Sequence, residues 1–224
     1  MAKHLDLEEQ EQLDQFKHFW AQWGNLITWT LIVVFGAMAA WNGWNYWQRS
    51  QAAKASALYE VLLRAAVAGD AEKVERAFGD LKSSFGDTTY AAQGALLAGK
   101  ALFEAQKNDA ARAALTWSMN EASDPAYRGI ARLRLAGMDI EAKAYDQALN
   151  QLEAPFPAAL EPLALDRKGD ALRAQGKTDE AKAMYQKAWQ TMSGGVEYRQ
   201  LIEVKLAALG VDASSLDKAA EVSQ

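Results

Sequence analysis

Hydrophobic positions follow two different patterns along this chain. From Phe19 to Gln48, 30 consecutive residues carry no Asp, Glu, Lys or Arg. The heart of that run, Asn25 to Trp47, makes a helix about 34 Å long at about 1.5 Å per residue. A bilayer's hydrocarbon core needs roughly 20 such residues. Beyond Gln48 the apolar residues recur at helical spacing instead, as in Leu58, Tyr59, Leu62 and Leu63, and again in Leu96, Leu97, Leu102 and Phe103. No sustained alternation of apolar and polar β-branched residues marks a strand. Turn signals fall at intervals: Gly69-Asp70, Ser84 to Asp87, Asn108-Asp109, Ser123-Asp124-Pro125, Gly176 to Asp179 and Ser193-Gly194-Gly195. The pattern predicts antiparallel helix pairs joined by short turns. Ahead of the apolar run, Leu13, Phe16 and Trp20 form a stripe that predicts a helical tail.

Aromatic placement sharpens the first pattern. Six of the eight Trp residues lie between positions 20 and 47. Trp20, Trp23 and Trp29 gather at one end of the run, and Trp41, Trp44, Tyr46 and Trp47 at the other. Indole rings favour the headgroup level, so two aromatic clusters around an apolar core indicate two membrane interfaces. A buried core helix would not need so many Trp. A cleaved signal peptide is the competing reading, since Ala37, Met38 and Ala39 resemble a cleavage box. But the preceding tail is long and acidic where a signal peptide is short and basic. The layout is then a short acidic tail (1–24), a transmembrane helix (25–47), a repeat domain (48–212) and a flexible C-terminal tail (213–224). Lys3 and Lys17 precede the span, and Arg49, Lys54 and Arg64 follow it. That one-charge excess leans towards a cytoplasmic C-terminal part. Gly36 and Ala40 offer a small-residue face to another membrane helix.

The second pattern repeats. Gly169, Leu172, Gly176, Ala181, Tyr185 and Ala188 match the small-residue spacing of the tetratricopeptide repeat. There a Gly or Ala on the first helix and an Ala on the second let two backbones approach, and a large residue fills the gap beside them. Gly99 is followed by Ala111 and Leu115, Ala136 by Ala148 and Leu152, and Leu62 by Val74 and Phe78, all at that spacing, though the first unit is degenerate because Leu62 replaces the small residue. The second-helix positions 74, 111, 148 and 181 lie 37, 37 and 33 residues apart. About three and a half repeats follow, with Val196–Leu209 as a capping helix over an otherwise exposed apolar face. Pro155, Pro157 and Pro162 interrupt the array, and the helix before them must end ahead of Pro155. The interruption is a longer turn or a rigid exposed loop that a partner touches. The fold class is all-α: a single N-terminal transmembrane helix followed by a tetratricopeptide-repeat-like helical solenoid.

Composition mostly excludes chemistry. The chain has no Cys, and both His residues, His4 and His18, precede the span. Triads, histidine metal sites and cysteine nucleophiles are therefore missing from the repeat region. Gly176-Lys177-Thr178 ends like a phosphate loop, but position 171 is Ala where that loop needs Gly. A net charge of −5 argues against nucleic acid. No enzyme activity, metal or cofactor is expected; the function is binding. The tetratricopeptide resemblance carries over a partner-binding groove on the first helices: Leu96, Lys100 and Phe103, then Leu133 and Ile140, then Asp166, Asp170 and Arg173. That groove would run from apolar to charged, with Leu96 and Leu133 equally readable as core.

Lys17, Phe19, Trp20 and Gly24, the apolar run, and Gly43-Trp44-Asn45-Tyr46-Trp47 closing it, with helical repeats directly after, resemble the YfgM-like ancillary subunit of the bacterial Sec translocon. The resemblance implies a single-pass inner-membrane protein with a cytoplasmic tail and a periplasmic repeat domain. It implies association with the Sec translocon channel and a membrane-anchored periplasmic chaperone of the PpiD type, and contact with translocated unfolded proteins. The implied role is a non-enzymatic accessory linking translocation to periplasmic chaperones. A structural scaffold of envelope biogenesis or division would use the same repeats.

Overall fold

The computed structural model describes residues 7–193 and 197–222, with side chains over 11–193 and 197–217. His4, the Gly194-Gly195 turn signal and Val196 lie outside the described residues. Among those described there are ten helices and no strand: α1 (Leu7–Val67), α2 (Ala71–Phe85), α3 (Thr89–Glu104), α4 (Asn108–Glu121), α5 (Pro125–Glu141), α6 (Tyr145–Glu153), α7 (Glu161–Ala174), α8 (Thr178–Thr191), α9 (Tyr198–Ala207) and α10 (Ala213–Val222). The chain divides into two units, 1–51 and 52–224.

The first unit is helical from Leu7 onward and buries almost none of its apolar surface. Trp29, Trp41 and Tyr46 are 62%, 69% and 77% exposed. A core helix of this composition would hide them. In the most apolar 18-residue window of α1, with mean hydropathy 1.5, only 6% is buried. Among the described residues α1 alone is long and apolar enough to cross a membrane. Its threonine hydroxyls are satisfied within the helix, Thr28 donating to the Gly24 carbonyl at 2.7 Å and Thr30 to the Leu26 carbonyl at 2.8 Å. Hydrocarbon demands such internal pairing. Phe16 and Trp20 of the tail stack at 6.4 Å.

The second unit is an array of helix pairs whose first helices begin at Thr89, Pro125, Glu161 and Tyr198. The end of α1 serves as the first helix of the leading pair. Its Ala55, Leu62 and Ala65 share a core with Val74 and Phe78 of α2 and Ala95 and Leu102 of α3. The small-residue rule is realised in space. A Cβ placed on Gly99 would sit 2.6 Å from Leu115, and one on Gly169 2.4 Å from the Tyr185 ring. Ala136, Ala148 and Leu152 form the equivalent contact and are all buried.

One turn recurs within every pair. Asp70, Lys107, Ala144, Lys177 and Val211 each donate a backbone N–H to the carbonyl five residues back, at 2.8–3.1 Å. The residue just before each, Gly69, Gln106, Lys143, Gly176 or Gly210, has φ between 60° and 80°. This left-handed closure ends a helix by satisfying its last carbonyls. The second helices are less uniformly capped, with Asp70 accepting from the Lys73 N–H at 3.1 Å to start α2. The hydrogen bonds from Lys73 hold the Asp70 carboxyl below its usual pKa.

The fifth copy of the turn joins α9 to α10, and this departs from the expected single capping helix and flexible tail at 213–224. Over Ala213–Val222 the chain is helical. Val211 and Ala213 are buried beside Trp189 and Met192, Leu216 packs on them, and the Trp189 indole donates to Asp217 at 2.8 Å. Gly210, followed by these apolar residues, marks a further helix pair. α6 ends at Glu153, ahead of Pro155 as the prolines require. The loop after it is pinned to α5: Arg132 donates to the Pro155 carbonyl at 2.8 Å and stacks 4.1 Å over the Phe156 ring.

Candidate partner-binding groove

The first helices α3, α5 and α7 lie side by side, and between them opens a cavity of about 280 Å³. Of the groove residues expected from sequence, Lys100, Phe103 and Leu133 line it. Leu96 is 8% exposed and belongs to the core, while its carbonyl accepts Arg134 Nη1 at 2.5 Å. Ile140 is half-buried against the cluster of Ala136, Ala148 and Leu152 and does not line the cavity. Arg173 is exposed in the last turn of α7.

Asp166 and Asp170 have a different fate. α9 lays Lys205 between them. Its ammonium donates to both Asp166 oxygens at 2.8 Å and sits 2.7 Å from an Asp170 oxygen. Tyr198 donates to Asp166 at 2.7 Å and Tyr185 to Asp170 at 2.8 Å. Asp166 is completely buried. Burial first, and then the adjacent carboxylates, push both tyrosine hydroxyls well above the usual phenol pKa. This end of the expected groove is therefore closed by the chain itself.

Sequence reasoning missed Arg134, Gly137, Met138, Glu141 and Arg167 on the cavity wall. The repeat offset contained a signal for two of them. Arg134 and Arg167 both stand two positions before the small residue of their helix, Ala136 and Gly169. Burial lowers the Arg134 pKa, but an arginine keeps its charge. Another missed residue is Asp139, fully buried where the neighbouring pairs carry Leu102 and Leu172. Arg112 Nη2 sits 2.7 Å from its Oδ1. That is a charge contact rather than an aligned hydrogen bond, since neither carboxylate oxygen has a hydrogen-bond partner.

A family model described as a tetratricopeptide repeat-like domain matches residues 17–211. The chain is 31% identical over 210 residues to the ancillary SecYEG translocon subunit of Neisseria gonorrhoeae, covering 93% of this chain and 100% of that one. The chain belongs to the family of ancillary SecYEG translocon subunits. Two further relatives share less of the sequence. The subunit of Haemophilus influenzae is 28% identical over 200 residues, covering 89% of this chain and 97% of its own length. That of Escherichia coli K12 is 25% identical over 178 residues, covering 80% and 85%. The family match starts ahead of the apolar run and ends in the turn before α10. The apolar helix and the repeats are thus matched together by one family model.

Proposed function

We propose that this chain is a membrane-anchored, non-enzymatic accessory of the Sec translocon that links translocation to periplasmic chaperones. The observation that carries this reading is similarity to ancillary translocon subunits from before the anchor to the end of α9. The apolar helix α1 would fix the protein in the inner membrane, tail in the cytoplasm and repeats in the periplasm. The one-charge bias across the span leans the other way, so orientation rests on the family resemblance. The cavity between α3, α5 and α7 is the face offered to a membrane-anchored chaperone of the PpiD type or to an emerging unfolded chain. Anchoring would raise the effective concentration of that face at the channel exit. The mechanism is recruitment and requires no catalytic group.

Two measurements test it together. Protease added to spheroplasts of cells carrying a C-terminally tagged chain should remove the tag while the inner membrane stays intact. Crosslinking in intact cells should then enrich the channel and a membrane-anchored chaperone over other inner-membrane proteins. A tag protected until lysis, or crosslinks with no channel enrichment, overturns the proposal.

A further inference from the structure

Resting on the reading that the repeat domain receives a partner segment, we propose that the α3–α5–α7 cavity selects an extended acidic segment bearing bulky apolar side chains. Its size sets the first limit. About 280 Å³ falls just below the roughly 300–1,000 Å³ of small-molecule sites, so it suits one or two side chains better than a cofactor. The floor is apolar, made by Phe103, Leu115, Leu133 and Met138. Met138 lends the floor adaptability towards differently shaped side chains. Gly137 leaves the α5 backbone open, and a Cβ there would meet only the Arg167 guanidinium, at 3.6 Å.

Charge sets the second limit. Lys100, Arg134 and Arg167 line the cavity against a single carboxylate, Glu141. This is a local inversion on a chain whose net charge is −5. Among the described residues, no hydrogen bond or ion pair engages Arg167. Lys100 has only Glu104, at 3.7 Å with both side chains more than 60% exposed, a pair that a ligand carboxylate displaces at little cost. Arg134 gives one Nη1 bond to Leu96 and keeps its other donors. Guanidinium forks match carboxylates in two parallel bonds. Three cations are too few for nucleic acid, whose affinity comes from many phosphate contacts. A segment alternating carboxylates and large apolar residues satisfies rim and floor at once.

The test uses the full chain in detergent micelles and a fluorescein-labelled short peptide of alternating glutamate and leucine. Its counterpart carries lysine for each glutamate. Fluorescence anisotropy should show the acidic peptide binding about tenfold tighter or better, the size of one charge-assisted contact. Its affinity should fall as salt rises. Arg167→Glu should lose that preference or invert it, with unchanged helical circular dichroism. Arg173→Glu, changing an exposed arginine that does not line the cavity, should keep it. Equal binding of the two peptides to the unaltered chain overturns the proposal, and so does an acidic-peptide affinity that Arg167→Glu leaves untouched. Crosslinks to the channel without peptide charge preference would sink this inference alone. Charge preference without such crosslinks would keep it and sink the translocon reading.

Discussion

Gly99 against Leu115 in the α3/α4 pair and Gly169 against Tyr185 in the α7/α8 pair are the same contact made twice. The surfaces above them differ. Over α3 and α5 the first helices leave an open cavity with Arg167 and Lys100 uncommitted or loosely held. Over α7 the same surface is covered by α9, whose Lys205 is 14% exposed and shared between two carboxylates. Packing between helices of a pair thus follows one rule in the α3/α4, α5/α6 and α7/α8 pairs. What distinguishes the regions is which first-helix charges are consumed internally. Uncommitted cations then concentrate in the middle of the array, while the C-terminal end pairs its charges internally.

The sharpest way to break this comparison is to remove the cation at the closed end. Lys205→Met leaves Asp166 buried with only the Tyr198 hydroxyl, and breaking a buried pair this way costs about 3–5 kcal/mol. Hydrogen exchange should show α9 and α10 losing protection while α3 and α4 keep theirs, because stacked pairs lean mainly on their neighbours. Lys100→Met at the open end should change stability by less than about 0.5 kcal/mol. Equal effects at both ends would erase the distinction.

The shared rule is tested next. Gly169→Ala drives a methyl into a rigid ring and should cost about 2–3 kcal/mol in urea unfolding. Gly99→Ala meets Leu115 at its branch carbon as well as its methyl, both at 2.6 Å, and should cost somewhat less. Gly94→Ala, at a contact between pairs rather than within one, should be milder than either, since its 2.6 Å contact is the far methyl of Leu81 in α2. A reversed order would mean that the pairs do not share one packing rule.

Alkaline pH separates the two ends by a smaller margin. Tyr185 and Tyr198 are acids whose folded pKa is raised, chiefly by burial. Their contribution is therefore intact below the unfolded value of about 10 and is lost as pH rises beyond it. Exchange in α9 should accelerate above that point before exchange in α3. Absorbance titration should show two tyrosines ionising late, and Tyr198→Phe should leave one.

Much of this architecture was legible because packing leaves a periodic trace. The spacing of Gly99, Ala111 and Leu115 was enough to place a close helix contact, and the prolines fixed where α6 ends. The cavity was half legible. Lys100, Phe103 and Leu133 follow from repeat position, but Arg134 and Arg167 are unlike Leu97 at the same position of α3, so no consensus draws attention to them. Asp166 and Asp170 looked like groove charges because sequence shows that a carboxylate faces inward without showing that Lys205, 35 or more residues later, occupies it. Asp139 was invisible for a related reason: a carboxylate in a leucine position stands out only once the pairs are superposed in space. α10 was overlooked because polar Ser214, Ser215 and Asp217 resemble a tail until Ala213 and Leu216 find the surface of α8.

The turns give the finest comparison, because the same left-handed position is Gly in three pairs and not in two. Gln106 and Lys143 hold φ of 60° and 61° in the pairs that flank the open cavity. Gly176 and Gly210 hold that position at the closed end. A side chain in this conformation costs about 1–2 kcal/mol, and substituting Gly returns roughly half of that to unfolded-chain entropy. Gln106→Gly and Lys143→Gly should each stabilise the chain by about 0.5–1 kcal/mol in urea unfolding. Gly176→Gln should destabilise it by a similar amount. If Lys143→Gly gains nothing, the Lys143 side chain must make up the strain in the folded chain. The α5/α6 pair would then hold its turn by a contact that the Gly-containing pairs do not need.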